Sequence, residues 1–276
     1  FAEFAHQPWS NLKPGMTLGP FGFQFNRANT WWSQSRAWIS YLSRIQHLLQ
    51  QGDFVADLCY YFGENVPNTL PNLDALQPRP PRGYDYDALI TGFFPQLEVI
   101  DGKLSLPGGM KYRVLVLPHF ERTILPEVLI KLRNLVMEGA VVVGPRPIIS
   151  PSLAGYPACD NQIRQIADEL WGKTDGKDKT LNKFGKGRVY WGRELIEVLS
   201  DLGIRPDFNY SGDNDPEVEY IHRRTEDADI YFISNQEHRY ISIQCDFRLT
   251  GKLPEIWNPY TGEVQKIAHY QVGNAF

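Results

Sequence analysis

Hydrophobic positions are spaced most regularly between Ser33 and Gln51, where Trp38, Tyr41, Leu42, Ile45, Leu48 and Leu49 recur three and four residues apart. That period gathers them on one face of a helix, and Gly52 stands where the helix should stop. From Asp53 to Phe62 the pattern changes to an apolar run and predicts a strand. Residues 1 to 5 read as the tail of another strand, and the stretch from Gln7 to Thr30 holds repeated Gly, Pro and Asn with no period. Strand, long loop, helix, strand is a βαβ unit, which implies parallel strands with the loop at the carboxyl end of the first.

Beyond Glu64 the chain becomes rich in Pro and Asn up to Gly83, and residues 68–83 are expected to be a linker. Tyr86 to Phe94 then predicts a short helix, Leu97 to Leu106 a strand and turn around Asp101-Gly102, and Tyr112 to Pro118 a buried parallel strand. A helix from Pro126 to Glu138 follows, with Val128, Leu129, Leu132, Leu135 and Val136 on one stripe and Gly139 past its end. Val141 to Gly144 and Gly187 to Gly192 read as further strands, with helices from Asn161 to Trp171 and from Glu194 to Leu202. Such alternation predicts a doubly wound, flavodoxin-like sheet over residues 84–212. From Glu217 onward the period shortens to two, in Val218 to Arg223, Asp229 to Ser234, Tyr240 to Phe247 and Pro254 to Trp257. Residues 213–276 are therefore expected to begin an antiparallel β module.

Composition narrows the function classes. The 276 residues carry a net charge of −4 with no clustered Lys/Arg stripe, which offers little to a phosphate backbone, so nucleic acid is not an expected partner. No apolar run approaches the ~20 residues of a membrane span, and the amino terminus lacks the basic and apolar regions of a signal peptide. Cys59, Cys159 and Cys245 lie far apart, each within or beside an apolar segment, as buried free thiols would. Aromatic residues make up 13% of the chain, which suits a large α/β core and suits stacking on sugar rings equally well. Opening on Phe1 and stopping at Phe276 just after a strand-like stretch, the sequence is expected to be a piece of a longer protein.

The loop between the first two predicted strands concentrates the candidate chemistry. His6 and Gln7 follow a strand and precede Pro8-Trp9, which sets them on the catalytic face if the βαβ unit belongs to a (β/α)8 barrel. Arg27 can fork two hydroxyls or one carboxylate, or pair with a barrel acid. Trp31 and Trp32 cannot face the same way at a helix start, so one is expected in the core and one at a rim. Glu64, at the end of the second strand, suits a hydroxyl binder or a structural acid, because glycoside hydrolysis needs two carboxylates and this stretch supplies one. Asp57, set among apolar neighbours, requires a partner and reads as structural.

The flavodoxin-like region lacks a glycine-rich phosphate loop after any predicted strand. His119-Phe120 stands after Leu117-Pro118, where a glutamine amidotransferase would carry its nucleophilic Cys, so the domain is expected to be catalytically silent. Asp213-Asn214-Asp215 lacks the Gly and distal Glu of an EF-hand and reads as a solvated turn.

His6-Gln7-Pro8-Trp9, Pro14-Gly15-Met16-Thr17-Leu18-Gly19-Pro20, Arg27, Thr30-Trp31-Trp32, Leu48 to Gly52, Val55-Ala56-Asp57 and Gly63-Glu64 together resemble the α-L-rhamnosidases of glycoside hydrolase family 106. Later blocks fit the same family, among them Tyr84-Asp85-Tyr86-Asp87, Leu106 to Arg113, Gly139 to Pro145 and Asp229 to Asn235. The resemblance implies a large secreted or periplasmic bacterial enzyme that removes terminal L-rhamnose from plant glycans with inversion. It implies calcium in the full-length enzyme, with no cofactor in this stretch, and a rhamnose-containing glycoside as the partner. It also implies residues 1–67 as the last βαβ portion of the barrel, with the catalytic pair expected upstream of Phe1 and the isolated piece inactive. His6, Gln7, Trp9, Arg27, Trp31 and Glu64 carry over as substrate contacts. Two alternatives stand beside it: a non-catalytic carbohydrate-binding or scaffold relative, and a glycosidase of other specificity such as a β-galactosidase.

Overall fold

The computed structural model of the chain describes residues 31–64, 69, 72–119 and 122–272. It is a mixed α/β structure of two units, one formed by residues 1–51 and 250–276, the other by 52–249.

In the first unit, helix α1 (Ser35–Leu49) follows a short 3-10 turn at Trp32–Gln34. Arg44 lies on α1, and its Nη1 donates to the carbonyls of Pro259 and Tyr260 at 2.9 and 2.8 Å. The Tyr41 ring packs on that of Tyr260 at 4.7 Å. The helix thereby grips the turn of the hairpin whose strands are Glu255–Trp257 and Val264–Lys266. Residues 1 to 5, expected as a strand, lie outside the described residues.

The second unit contains β1 (Asp53–Phe54), β2 (Leu58–Tyr61), β3 (Tyr86–Leu89), β4 (Glu98–Ile100), β5 (Lys103–Ser105), β6 (Lys111–Tyr112) and β7 (Val114–Val116). Helix α2 (Pro126–Glu138), β8 (Val141–Val143), α3 (Ala158–Trp171), β9 (Leu181–Phe184), β10 (Gly187–Tyr190) and α4 (Leu195–Asp201) come next. Strands β11 (Phe208–Gly212), β12 (Val218–Arg224), β13 (Asp229–Asn235) and β14 (Ile243–Phe247) complete it. Its main sheet runs β3-β2-β7-β8-β10-β9, parallel except for the edge strand β9. Numbering only the parallel strands in chain order gives 2-1-3-4-5, the flavodoxin-like winding.

Strand parity explains why the apolar runs form a two-sided sheet. Cys59 and Tyr61 of β2 and Leu115 of β7 face one way, into a core built with Leu129, Leu132 and Val136 of α2 and Ile163, Leu170 and Trp171 of α3. Leu58 and Tyr60, with Val114 and Val116, face the other way, onto Leu195, Val198 and Leu199 of α4 and onto Leu76 and Tyr84. Both faces are covered, so no polar alternation appears in these strands. Helix α2 starts at a proline, whose missing N–H is no loss in a first turn, and ends at Gly139 with φ 131°. Asp101 and Gly102, at φ 52° and 71°, make the tight β4–β5 turn that an Asp-Gly pair favours.

Several expectations need correction. The strand predicted from Asp53 to Phe62 splits at Val55-Ala56-Asp57, and β2 pairs with β3 and β7 rather than with a barrel strand. The division between units therefore falls at Gly52, and of the expected linker the described residues, 69 and 72–83, belong to the β2–β3 crossover inside the second unit. That crossover is pinned, not a free linker: Leu76 and Tyr84 are buried, and the Tyr60 hydroxyl donates to the Pro78 carbonyl at 2.6 Å. The helix expected over Tyr86–Phe94 is β3 followed by a 3-10 segment, Thr91–Gln96. Tyr86, Leu89, Ile90, Phe93 and Phe94 do follow helical spacing, but Ile90 and Phe93 are each 51% exposed, and backbone pairing with β2 prevails. The antiparallel region begins at β11 rather than at residue 213, since β11 pairs with β14 along its whole length. Strand β9 was not expected; it is the polar edge of the sheet, with exposed Leu181 and Lys183 alternating with half-buried Asn182 and Phe184.

Candidate functional site

In a doubly wound sheet the crevice for a ligand opens at the carboxyl ends of the strands where the winding reverses. Here that point lies between β2 and β7, and Glu64 follows β2 while Leu117, Pro118 and His119 follow β7. Gly63, at φ 74°, lets the chain turn so that Glu64 points back over the strand end. Glu64 Oε1 accepts from the Tyr61 hydroxyl at 2.7 Å and from the Leu125 N–H at 3.2 Å. The Tyr61 and Thr91 hydroxyls are 3.0 Å apart, and Thr91 donates to the Gly63 carbonyl at 3.3 Å. Leu125 immediately precedes α2, so the carboxylate sits at the positive end of that helix. The second oxygen, Oε2, is buried with no hydrogen-bond partner. A shallow cleft beside it is lined by Tyr61, Leu117, Pro118, Thr123, Pro145 and Pro147.

Among the described residues, no thiol stands at this crevice. Pro118 and His119 occupy the place after β7 where an amidotransferase would need a thiol. Cys59 lies within β2, and burial raises its thiol far above the ordinary range, which suppresses the reactive thiolate. All three cysteines are free thiols, Cys59 and Cys159 buried and Cys245 half-buried.

Of the residues singled out in the sequence, His6, Gln7, Trp9 and Arg27 lie outside the described residues. Trp31 is half-buried with its ring edge-to-face on Trp38 at 5.7 Å, and its neighbour Trp32 is 45% exposed. The pair thus faces two ways, with Trp32 the more exposed indole. Trp31 belongs to the first unit and Glu64 to the second. Asp215 of the acidic turn pairs with Arg82 at 2.8 Å, with Asn214 and Asp215 at positive φ.

A buried polar network escaped the sequence reading. Arg248 Nη2 donates to both oxygens of Asp57 at 3.1 and 2.9 Å and to Asp207 Oδ1 at 3.3 Å, while Nη1 donates to the Arg205 carbonyl at 2.6 Å. Burial pushes the Asp57 carboxyl up, and the Arg248 guanidinium opposes that shift. His222 lies fully buried between Asp207 and Asp229, and its ring stacks on Tyr231 at 4.0 Å. Period-two alternation along β12 assigns Val218, Tyr220 and His222 to one inward face, so a strand-parity count would have flagged the histidine.

Among the described residues no group of three His, Cys, Asp or Glu side chains converges to hold a metal ion. No calcium ligand is therefore assigned to them. No helix among them is long and apolar enough to cross a membrane.

Residues 1–272 match the family model described as alpha-L-rhamnosidase, glycoside hydrolase family 106. The chain belongs to that family. The rhamnosidase from Novosphingobium sp. PP1Y superposes with a TM-score of 0.83 at 33% identity, over 97% of this chain and 25% of that one. A protein of Formosa agariphila named putative beta-glucuronidase is 39% identical over 274 residues, 98% of this chain and 22% of its own length. This glycoside hydrolase family 106 chain thus spans about a quarter of the length of those relatives. The E323A mutant of Gan42B, a GH42 beta-galactosidase from G. stearothermophilus, superposes with a TM-score of 0.53 at 13% identity over 87% of this chain and 42% of that one, a likeness of fold alone.

Proposed function

We propose that this chain is part of an inverting α-L-rhamnosidase that releases terminal L-rhamnose from plant glycans, acting outside the cytoplasm. The observation that carries the reading is the family match along residues 1–272, joined to the superposition on a rhamnosidase. In this reading residues 1–51 close a (β/α)8 barrel, and His6, Gln7, Trp9, Arg27 and Trp31 contact the sugar from its last long loop. Inversion needs an acid and a base about 6.5–9.5 Å apart with a water between them. Neither role is assigned to a residue of this chain. Glu64 takes the part of a structural acid, because its bonds tie the end of β2 to the start of α2. The Asp57 network and the silent crevice are likewise scaffold.

A relative bearing the name of a glucuronidase makes specificity the point to test. The protein carrying this chain, expressed at the full length of its relatives, should release nitrophenol from the α-L-rhamnoside at least tenfold faster than from the β-glucuronide or β-galactoside. Faster release from either of those would replace rhamnose as the substrate. Binding of rhamnoside without turnover would instead identify a decayed hydrolase.

A further inference from the structure

We propose that His222 is a structural imidazolium, a doubly donating cation that clasps β12 and β13 to the segment leading into β11. Nδ1 lies 2.8 Å from Asp207 Oδ2 and Nε2 lies 2.8 Å from Asp229 Oδ1. Ionised carboxylates only accept hydrogen bonds, and a neutral imidazole has a single N–H. Both contacts can be made at once by a histidine protonated on both nitrogens. A neutral ring would set a bare nitrogen against a carboxylate oxygen at that distance, in a place where His222 is 0% exposed.

The charges facing the ring come from every element packed on it. Asp229 and Tyr231 are on β13, and Arg224 on β12 donates from Nε to Asp229 Oδ1 at 2.6 Å. Asp207 precedes β11; its Oδ1 accepts from the Tyr231 hydroxyl at 3.3 Å and from Arg248, which follows β14. Arg248 joins Asp57, just before β2, to the same cluster, and Asp85 and Tyr220 lie within its field. Each ring nitrogen of His222 thus faces a buried carboxylate, and a cation between them offsets charge that is costly to bury. The clasp is well placed to govern the layer, since the His222 carbonyl also accepts the Val55 N–H at 3.0 Å, beside the start of the main sheet.

Two measurements on the intact chain decide the matter. Ring 15N shifts of His222 at about pH 7 should place both nitrogens in the protonated range; one bare nitrogen in the folded protein overturns the proposal. His222→Gln, which keeps a donor for one of the two carboxylates only, should lower the urea midpoint at about pH 7, and an unchanged midpoint overturns the proposal. If that variant does not fold, the 15N shifts still decide.

Discussion

Arg248 and Asp57 are 191 residues apart in sequence, and a single guanidinium nitrogen bonds both carboxylate oxygens at 3.1 and 2.9 Å. The pair ties the end of β14 to the residue that opens β2, and it shares Asp207 with the His222 clasp. Removing the cation leaves two buried carboxylates facing each other, the costly way to break a buried ion pair. Arg248→Met should cost ~3–5 kcal/mol in urea unfolding. Adding Asp57→Asn to Arg248→Met should recover part of that loss, because one stranded charge is then gone. A loss below about 1 kcal/mol in the single variant would show that the pair is solvent-screened.

Asp85 lies two residues before Asp87 and close to Asp207 and Glu219, and burial is the first cause that raises its carboxyl to about 7. A free Asp titrates near 3.9. Raised above its unfolded value, the carboxyl favours the folded state while protonated, and this contribution is lost as pH climbs from about 4 to about 7. Asp85→Asn should therefore leave stability unchanged near pH 4 and increase it by a few kcal/mol above pH 7. The amide oxygen can still accept the Tyr86 N–H that Asp85 Oδ1 accepts at 2.8 Å. Thermal midpoints of the two proteins at pH 4, 6 and 8 check the sign, and equal midpoints at pH 8 would contradict it.

Leu132 stands at the centre of the α2 stripe, fully buried, while Met137 on the same helix is 48% exposed. Leu132→Ala should cost ~2–5 kcal/mol through lost transfer energy and a cavity. Met137→Ala should stay within about 1 kcal/mol. Denaturant unfolding of both variants measures how much the helix depends on its inner face.

Legibility in the sequence followed the range of the forces. Helices α2, α3 and α4 were readable because their stripes and stops are local: the Leu129-Leu132-Leu135-Val136 face and Gly139 lie within one segment. The β4–β5 turn was readable for the same reason, from Asp101-Gly102. Strand β3 was misread because Tyr86, Leu89 and Phe93 satisfy helical spacing, and only its pairing to β2 decides otherwise. The same pairing sets β2 in the parallel sheet, since an apolar run before a Pro-rich stretch says nothing of which sheet receives it. At the candidate site, Asp57 could be read as needing a partner, but Arg248 lies too far along the chain to be named. The family resemblance rests on residues such as His6 and Trp9, whose identity reflects chemistry more than period.

Glu64 Oε1 holds the Tyr61 hydroxyl and the Leu125 N–H together, so the side chain should act on α2 more than on a ligand. Glu64→Gln keeps an oxygen for both donors and should cost less than about 1 kcal/mol. Glu64→Ala strips the Leu125 N–H of its acceptor, and a buried donor left unpaired costs ~1–3 kcal/mol. Hydrogen exchange localises the effect: amides in the first turn of α2 should lose about tenfold protection in Glu64→Ala, while those near Leu135 change little. In the protein at the full length of its relatives, Glu64→Gln should leave KM and kcat for a nitrophenyl α-L-rhamnoside within about twofold. A selective rise in KM with kcat retained would instead mark the carboxylate as binding substrate in the ground and transition states alike. That outcome would move Glu64 from the scaffold to the sugar site.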